Sequence, residues 1–277
     1  MRRIIISTCL WATCLWLVGP RPALPAEAPD TVFLEELTWT EVRSALQAGK
    51  STIIFPAGGT EQSGPHMPLG KHNVIARYAA EQIARRLGHA LVAPVLAYVP
   101  EGDVKPPTGH MRFPGTITLP EQHYEKVVEY AARSFRASGF RDIVLLGDSG
   151  GNQKGLKAVA ERLNREWAGS GARVHFAPDY YTSGYDPAGS FARWLRSQGK
   201  TPADIGTHAG IADTSQLMAI DPRLVRADKL APGGSYAATG VDGDPTRASA
   251  AYGKKGLELR IEAAVSQIER LLGRRRP

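Results

Sequence analysis

Two polar stretches hold most of the side chains able to do chemistry. In "GGTEQSGPHMPLGKHN" (58–73), Glu61, His66 and His72 fall within twelve residues, on backbone stiffened by Gly64, Pro65 and Pro68. Carboxylate and imidazole are the ligands expected for zinc or manganese, and rigid backbone suits coordination, which tolerates little positional error. The alternative is a polar surface loop. The second stretch, "GDSGGNQ" (147–153), offers Asp148, Ser149 and Asn152.

Both stretches need elements that bring them together. Short apolar runs at 51–58, 90–98, 142–147 and 172–178 read as buried strands. Residues 74–88, 123–139 and 154–169 carry apolar side chains at three-to-four spacing and read as helices, and "TEVRSALQAG" supplies a further helix before the first strand. Gly88, Gly139 and Gly169 or Gly171 stand just past these helices as stops. Strand–helix alternation predicts a mostly parallel sheet covered on both faces. In such sheets ligands sit beyond the carboxyl ends of the strands, where both polar stretches emerge. No internal repeat or linker interrupts the pattern. With 277 residues, 43% hydrophobic and 22% charged, the chain is long enough for one domain of roughly 250 residues.

The pentapeptide "GDSGG" also surrounds the nucleophile of trypsin-like serine proteases. There it lies between two antiparallel barrels and follows a His and an Asp; here it ends a parallel strand and opens a helix. It fits G-x-S-x-G as well, so a hydrolase elbow with Ser149 as nucleophile, Asp179 and His208 following in order, stays open.

The N-terminus, "MRRIIISTCLWATCLWLVGPRPALPA", has Arg2 and Arg3, an apolar run from Ile4 to Val18 and a Pro/Ala-rich exit. It reads as a secretory signal peptide over residues 1–26, cleaved near Ala26. The run is short for a membrane span of roughly 20 residues. Cleavage would leave residues 27–277 as one α/β domain, periplasmic or secreted, with no stable membrane anchor. Cys9 and Cys14, the two cysteines of the chain, both lie in this segment. The remainder can form no disulfide, thiolate nucleophile or Cys-based zinc site, which suits an oxidising compartment. The segment also holds Arg2, Arg3 and Arg21 and no acid, so Lys+Arg falls from 34 to 31 against 27 acids, an excess of +4. Part of that excess is "GRRRP" at the C-terminus, which reads as a solvated helix end. With no basic stripe carrying interleaved aromatics, no nucleic-acid partner is expected.

Five ordered segments resemble the creatininase (creatinine amidohydrolase) family. "GGTEQSGPHMPLGKH" is similar to its Gly-x-x-Glu-Gln-His-Gly-Pro-His-Leu-Pro-Leu-Gly-Thr-Asp loop. "HMRFPGTITL" (110–119) resembles His-x-x-Phe-Pro-Gly-Thr, and "GFRDIVLLGDSGGNQ" resembles the strand ending in Asn-Gly-His-Gly-Gly-Asn. "THAGIADTS" (207–215) resembles Asp-x-His-Ala-Gly-Glu-x-Glu-Thr-Ser, and "GVDGDPTRASAAYGKKG" (240–256) resembles Gly-Val-x-Gly-Asp-Pro. The resemblance spans about residues 35–275. It implies a three-layer α/β/α sandwich, hydrolysis of a small amide or cyclic C–N compound, a homo-oligomer (a hexamer by the resemblance) and two divalent metals.

The departures concern the metal ligands that the resemblance implies. Glu61 matches the family's Glu. Ser63 stands for a His, His72 for the bridging Asp, Ser149 for the second loop's His, Ile211 for one Glu and Asp213 for another. A carboxylate can bridge two cations with its two oxygens, whereas an imidazole normally offers a metal one nitrogen; a neutral Ser hydroxyl is a poor zinc ligand. The usual dinuclear centre is therefore not expected. Three readings stay open. A single divalent ion, zinc or manganese, is held by Glu61 and His72 with help from Asp148, Asp213 or His66. Or no metal binds, and Ser63, Ser149, His72 and His208 line a hydrogen-bonding pocket. Or Ser149 is a nucleophile with His72 or His208 as base. The expected roles are Glu61, His72 and Asp148 for metal; His208, Asp213 and Ser149 for catalysis; Ser63, His66 and Asn152 for substrate. His208 resembles the family's proton-shuttling His. His110 is expected to order its loop, and Lys71 to bind an anionic group or be solvated. Tyr180, Tyr181, Tyr185 and Trp194 read as a loop that either walls the pocket or packs in the core. The competing class is a catalytically silent small-ligand or partner-binding protein of the periplasm.

Overall fold

The structure, a computed structural model, describes residues 29–273. The expected signal peptide over residues 1–26 and the basic end 274–277 lie outside the described residues. Helix α1 (Trp39–Gln47) opens with a capping box: Thr38 accepts from the Glu41 amide, and Glu41 reaches back to the Thr38 amide. Then follow β1 (Thr52–Ala57), α2 (Lys71–Leu87), β2 (Ala90–Val92), α3 (Glu121–Ala137), β3 (Asp142–Gly147), α4 (Gln153–Glu166) and β4 (Arg173–Phe176). The C-terminal part is helical: α5 (Asp179–Tyr185), α6 (Ser190–Ser197), α7 (Pro202–Ile205), α8 (Ile211–Ile220), α9 (Tyr236–Thr239) and α10 (Ala250–Leu271). None of these helices is long and apolar enough to cross a membrane.

The strands form a parallel sheet in the order β2-β1-β3-β4, with Ile54 opposite both Val92 and Val144. Alternate residues of one strand serve two cores. Ile54, Val144 and Leu146 pack with α2 and α10 (Ile75, Ile83, Ile261, Ile268) on one face. Ile53, Phe55, Ile143 and Leu145 pack with α3 and α4 (Val128, Leu156, Val159) on the other. This is why the strands read as unbroken apolar runs. Each such side chain, fully buried, contributes about 1.5–3 kcal/mol. The three-layer α/β architecture expected from the sequence is the one observed.

Two boundaries differ from the sequence reading, and both bear on the site. The second strand stops at Val92 because Pro94 interrupts the ladder. The chain then stays beside β1 through the single Ala57–Leu96 bridge, pairs Val99 with Thr118 of the same segment, and delivers the irregular 100–118 stretch to the sheet's carboxyl end. Helix α2 begins at Lys71, not at 74, so Lys71 and His72 form its first turn. The aromatic stretch after β4 is helix α5 instead of a loop.

Candidate active site

Beyond the carboxyl ends of β1 and β3 lies a cavity of about 460 Å³, lined in part by Glu61, Lys71, Glu101, His110, His208 and Asp213. Glu61 comes from the loop after β1, Lys71 and His72 from the N-terminus of α2, and Asp148 from the residue after β3. Asp213 projects from the first turn of α8. Its Oδ2 accepts from the Ala209 amide at 2.7 Å, at a turn where Ala209 itself adopts φ of 54°.

Buried ion pairs organise the floor. His72 Nδ1 lies 2.6 Å from Asp148 Oδ2, and its Nε2 lies 2.9 Å from Glu61 Oε1. Burial and Lys71 push the His72 pKa down, but Glu61 and Asp148 outweigh them, and it is raised. As an imidazolium, His72 donates an N–H to each carboxylate. Asp148, fully buried, takes its remaining bonds on Oδ1 from Arg260 and from Tyr180 Oη at 2.6 Å. Burial raises its pKa, and Arg260 and His72 more than reverse that. Arg260 reaches in from α10 and is held further by Gln216 Oε1 at 2.7 Å.

Lys71 is fully buried, with Nζ 3.0 Å from Asp213 Oδ1 and 3.7 Å from Glu61 Oε1. Both contacts are ion pairs, the one to Asp213 close enough for a charge-assisted hydrogen bond, and Nζ is out of reach of solvent. Burial lowers its pKa, Asp213 and Glu61 raise it, and the net direction is up. Glu61 and Asp213 are held below the ordinary carboxylate range, burial being overcome by His72 and Lys71 respectively as the leading partners. Glu101 is the counter-case: burial, then the Glu61 charge, push it up to about 10, so it stays protonated and hydrogen-bonds Glu61. Three carboxylates (Glu61, Asp148, Asp213) thus face three cations (Lys71, His72, Arg260).

The mouth holds a second group. Glu61, His110 and His208 each offer a ligand atom, and these atoms lie within 4.8 Å of one another. His110 Nε2 is 3.3 Å from Glu61 Oε2, and His208 Nδ1 is 3.7 Å from Glu61 Oε1. Burial lowers the pKa of both imidazoles, that of His208 to about 4, so each is neutral and keeps a lone pair at neutral pH. Their outer nitrogens are fixed. His208 Nε2 is 3.0 Å from the Gln62 carbonyl oxygen, and His110 Nδ1 is 3.2 Å from Tyr236 Oη. With Nε2–H donated to that carbonyl, His208 turns its Nδ1 lone pair toward Glu61. Gly240, at φ of 68°, admits the Gln62 side chain, whose Nε2 lies 3.1 Å from His110 Nδ1; a Cβ there would stand 1.9 Å from Gln62 Oε1.

The family model for creatininase (creatinine amidohydrolase) matches residues 35–268. The chain belongs to the creatininase family. Among relatives, the mycofactocin precursor peptide peptidase of Mycobacterium ulcerans is 28% identical over 256 residues, 83% of this chain and 90% of that protein. The creatinine amidohydrolase of Pseudomonas putida is 30% identical over 202 residues, 72% and 76% of the two chains. A creatininase structure named for manganese superposes with a TM-score of 0.73 at 26% identity, covering 87% of this chain and 98% of that one. A creatininase variant of Zn–Zn type gives 0.70 at 26%, covering 88% and 99%.

Within this creatininase-family site the residues singled out from sequence fall into two groups. Glu61, His72, Asp148, His208, Asp213 and Ser149 converge on the cavity or its floor. Ser149 lines the wall, where its Oγ accepts from the Gly151 amide and caps a single turn. Ser63, His66 and Asn152 are not among the lining residues. Ser63 Oγ turns to its own loop at the Glu61 carbonyl, 3.5 Å away, and His66 Nε2 meets Thr214 Oγ1 at 2.9 Å. Asn152 binds the Ser149 amide and the Gly58 carbonyl, joining the two polar loops. Tyr181 and Tyr185 line the cavity, whereas Trp194 packs on Phe191 and Tyr252. The sequence reading gave Glu101 and Tyr236 no role. It gave His110 a loop-ordering role and left Lys71 on an anion or in solvent. The HMRFPGT match carried the only signal for His110, and nothing local marked the other three.

Proposed function

We propose that this chain is a creatininase-family amidohydrolase that splits the carbonyl–nitrogen bond of a small amide or cyclic amide, using a site altered to hold at most one divalent ion. The observation that carries the reading is the Glu61–His110–His208 group at the mouth of a 460 Å³ cavity. The relatives' names support the reaction class, since creatinine and a peptide share the carbonyl–nitrogen bond.

One carboxylate and two neutral imidazoles suit a single zinc or manganese ion. Bound there, the ion would polarise the carbonyl and lower the pKa of a water. The other tasks belong to side chains. Glu61, fixed by the His72 imidazolium, is placed to receive a proton from the attacking water. Attack forms the new C–O bond, and the C–N bond breaks. The amine leaves with a proton, and a carboxylate remains. Glu101, protonated at the cavity wall, is placed to supply that proton. Tyr181, Tyr185 and Tyr236 supply aromatic wall.

The test is hydrolysis by purified residues 27–277, stripped with chelator and reloaded with ZnCl2 or MnCl2. The panel contains creatinine, simple cyclic amides and short peptides. Amine release abolished by Glu61→Ala and by His208→Ala is expected; no release from any member refutes the reading. We also propose export, supported by the Arg2/Arg3 and apolar pattern of residues 1–26 and by the lack of cysteine beyond them. N-terminal sequencing of the secreted or periplasmic protein should begin near Glu27. Self-association follows from the same family reading and is checked by light scattering.

A further inference from the structure

We infer that Lys71 is a resident cation: its ammonium takes the place of a second divalent ion between Glu61 and Asp213. The inference rests on reading the cavity as a hydrolase site and gives a reason why that site takes a single ion.

Four observations converge. The position is unfavourable for a lysine on its own terms. Lys71 begins α2, where the helix end already favours negative charge and no acid stands in the first turn. It is also fully buried, and a buried ammonium is retained only with close counter-charges. Those counter-charges come from separate parts of the chain, Glu61 on the β1 loop and Asp213 on α8. They converge on one nitrogen as carboxylates converge on a metal. The next residue, His72, sets Nε2 2.9 Å from Glu61 Oε1 and Nδ1 2.6 Å from Asp148 Oδ2, so oxygens a second ion would need are already engaged by the chain's own side chains. Finally, Lys71 stands beside the cavity with its nitrogen out of reach of water, so the positive charge between the two carboxylates is fixed in place. A second M²⁺ would have to share this space with the ammonium; the Zn–Zn arrangement named for a solved relative does not fit these residues.

The experiment is a count of ions. Apo protein of residues 27–277, Lys71→Ala and Lys71→Gln are each titrated with MnCl2 by calorimetry. Bound manganese is measured after desalting, and thermal unfolding is followed with and without the metal. Each variant should hold one more ion per chain than the unsubstituted protein, and its melting temperature should rise with MnCl2 by more than the parent's. Equal ion counts overturn the inference, as do two tightly held ions in the unsubstituted chain, a result that needs no variant to fold. The outcomes separate the two claims. One ion in the parent and one in both variants sinks the resident cation but leaves the single-ion site. None in the parent and one in the variants keeps the resident cation and sinks the single-ion site.

Discussion

Replacing Asp148 by Asn tests the buried floor of the site most directly. Asp148 is fully buried and receives Arg260, Tyr180 and His72 on its two oxygens. Asn keeps the shape but removes the charge, and its amide places N–H where His72 now donates. Arg260, itself fully buried, would face no carboxylate. Leaving one half of a buried pair costs about 3–5 kcal/mol; the retained side-chain oxygen puts Asp148→Asn near 3. For a domain of this size each kcal/mol moves Tm by about 2–4 °C, so a fall of about 6–12 °C is expected. The assay is thermal unfolding at pH 7.5 of Asp148→Asn, Arg260→Met and the double variant. The exposed Lys157–Glu161 pair, 4.0 Å apart, gives the control, and Glu161→Gln should shift Tm by about 2 °C or less. The double variant should lose well under the sum of the singles, because removing both charges removes the orphan. A fall below about 2 °C for Asp148→Asn, or additive losses, would refute the account.

Other perturbations have definite signs. Glu101 is protonated in the fold at a pH where the unfolded carboxyl is ionised, so its contribution is complete below the ordinary carboxylate range and is lost as pH rises toward about 10. Glu101→Gln should therefore unfold no more easily than the parent at pH 8, and its loss of stability between pH 6 and 9 should be smaller. In the acid direction, His66 and His208 are kept neutral down to about 4, against an ordinary value near 6.5. Their contribution is present at neutral pH and is lost as pH falls from about 6.5 toward 4, so urea midpoints should already decline at pH 5.5. Tyr236→Phe removes the hydroxyl that fixes His110 Nδ1 and should weaken zinc binding about tenfold by competition with a chelator. Gly253→Ala would set a Cβ 1.7 Å from the Ser215 carbonyl oxygen and force α10 from α8; little soluble protein is expected, and normal yield would contradict the packing.

The sheet and its flanking helices were legible because their cause is local. Apolar runs of strand length, three-to-four spacing and glycine stops all lie within a few residues of one another, and the glycines take the positive φ the stops require. The residues after Val92 were not legible, since Pro94 interrupts a ladder whose continuation depends on β1. Motif positions gave Glu61, His72 and Asp148, but not what each would touch. Asp148 in the "GDSGG" turn points to Arg260, 112 residues away, and the turn that resembles a protease nucleophile is a cap built by Ser149. Lys71 and Glu101 were opaque for a related reason. A charged residue in a polar loop looks solvated until tertiary contacts desolvate it, and only then do its partners fix its charge.

The Arg260 reach from α10 has a consequence for how the protein comes into being. The guanidinium that steadies Asp148 lies 112 residues along the chain from the carboxylate it holds. A chain that lacks α10 leaves Asp148 buried without that partner, and the floor of the pocket is complete only once this helix has docked.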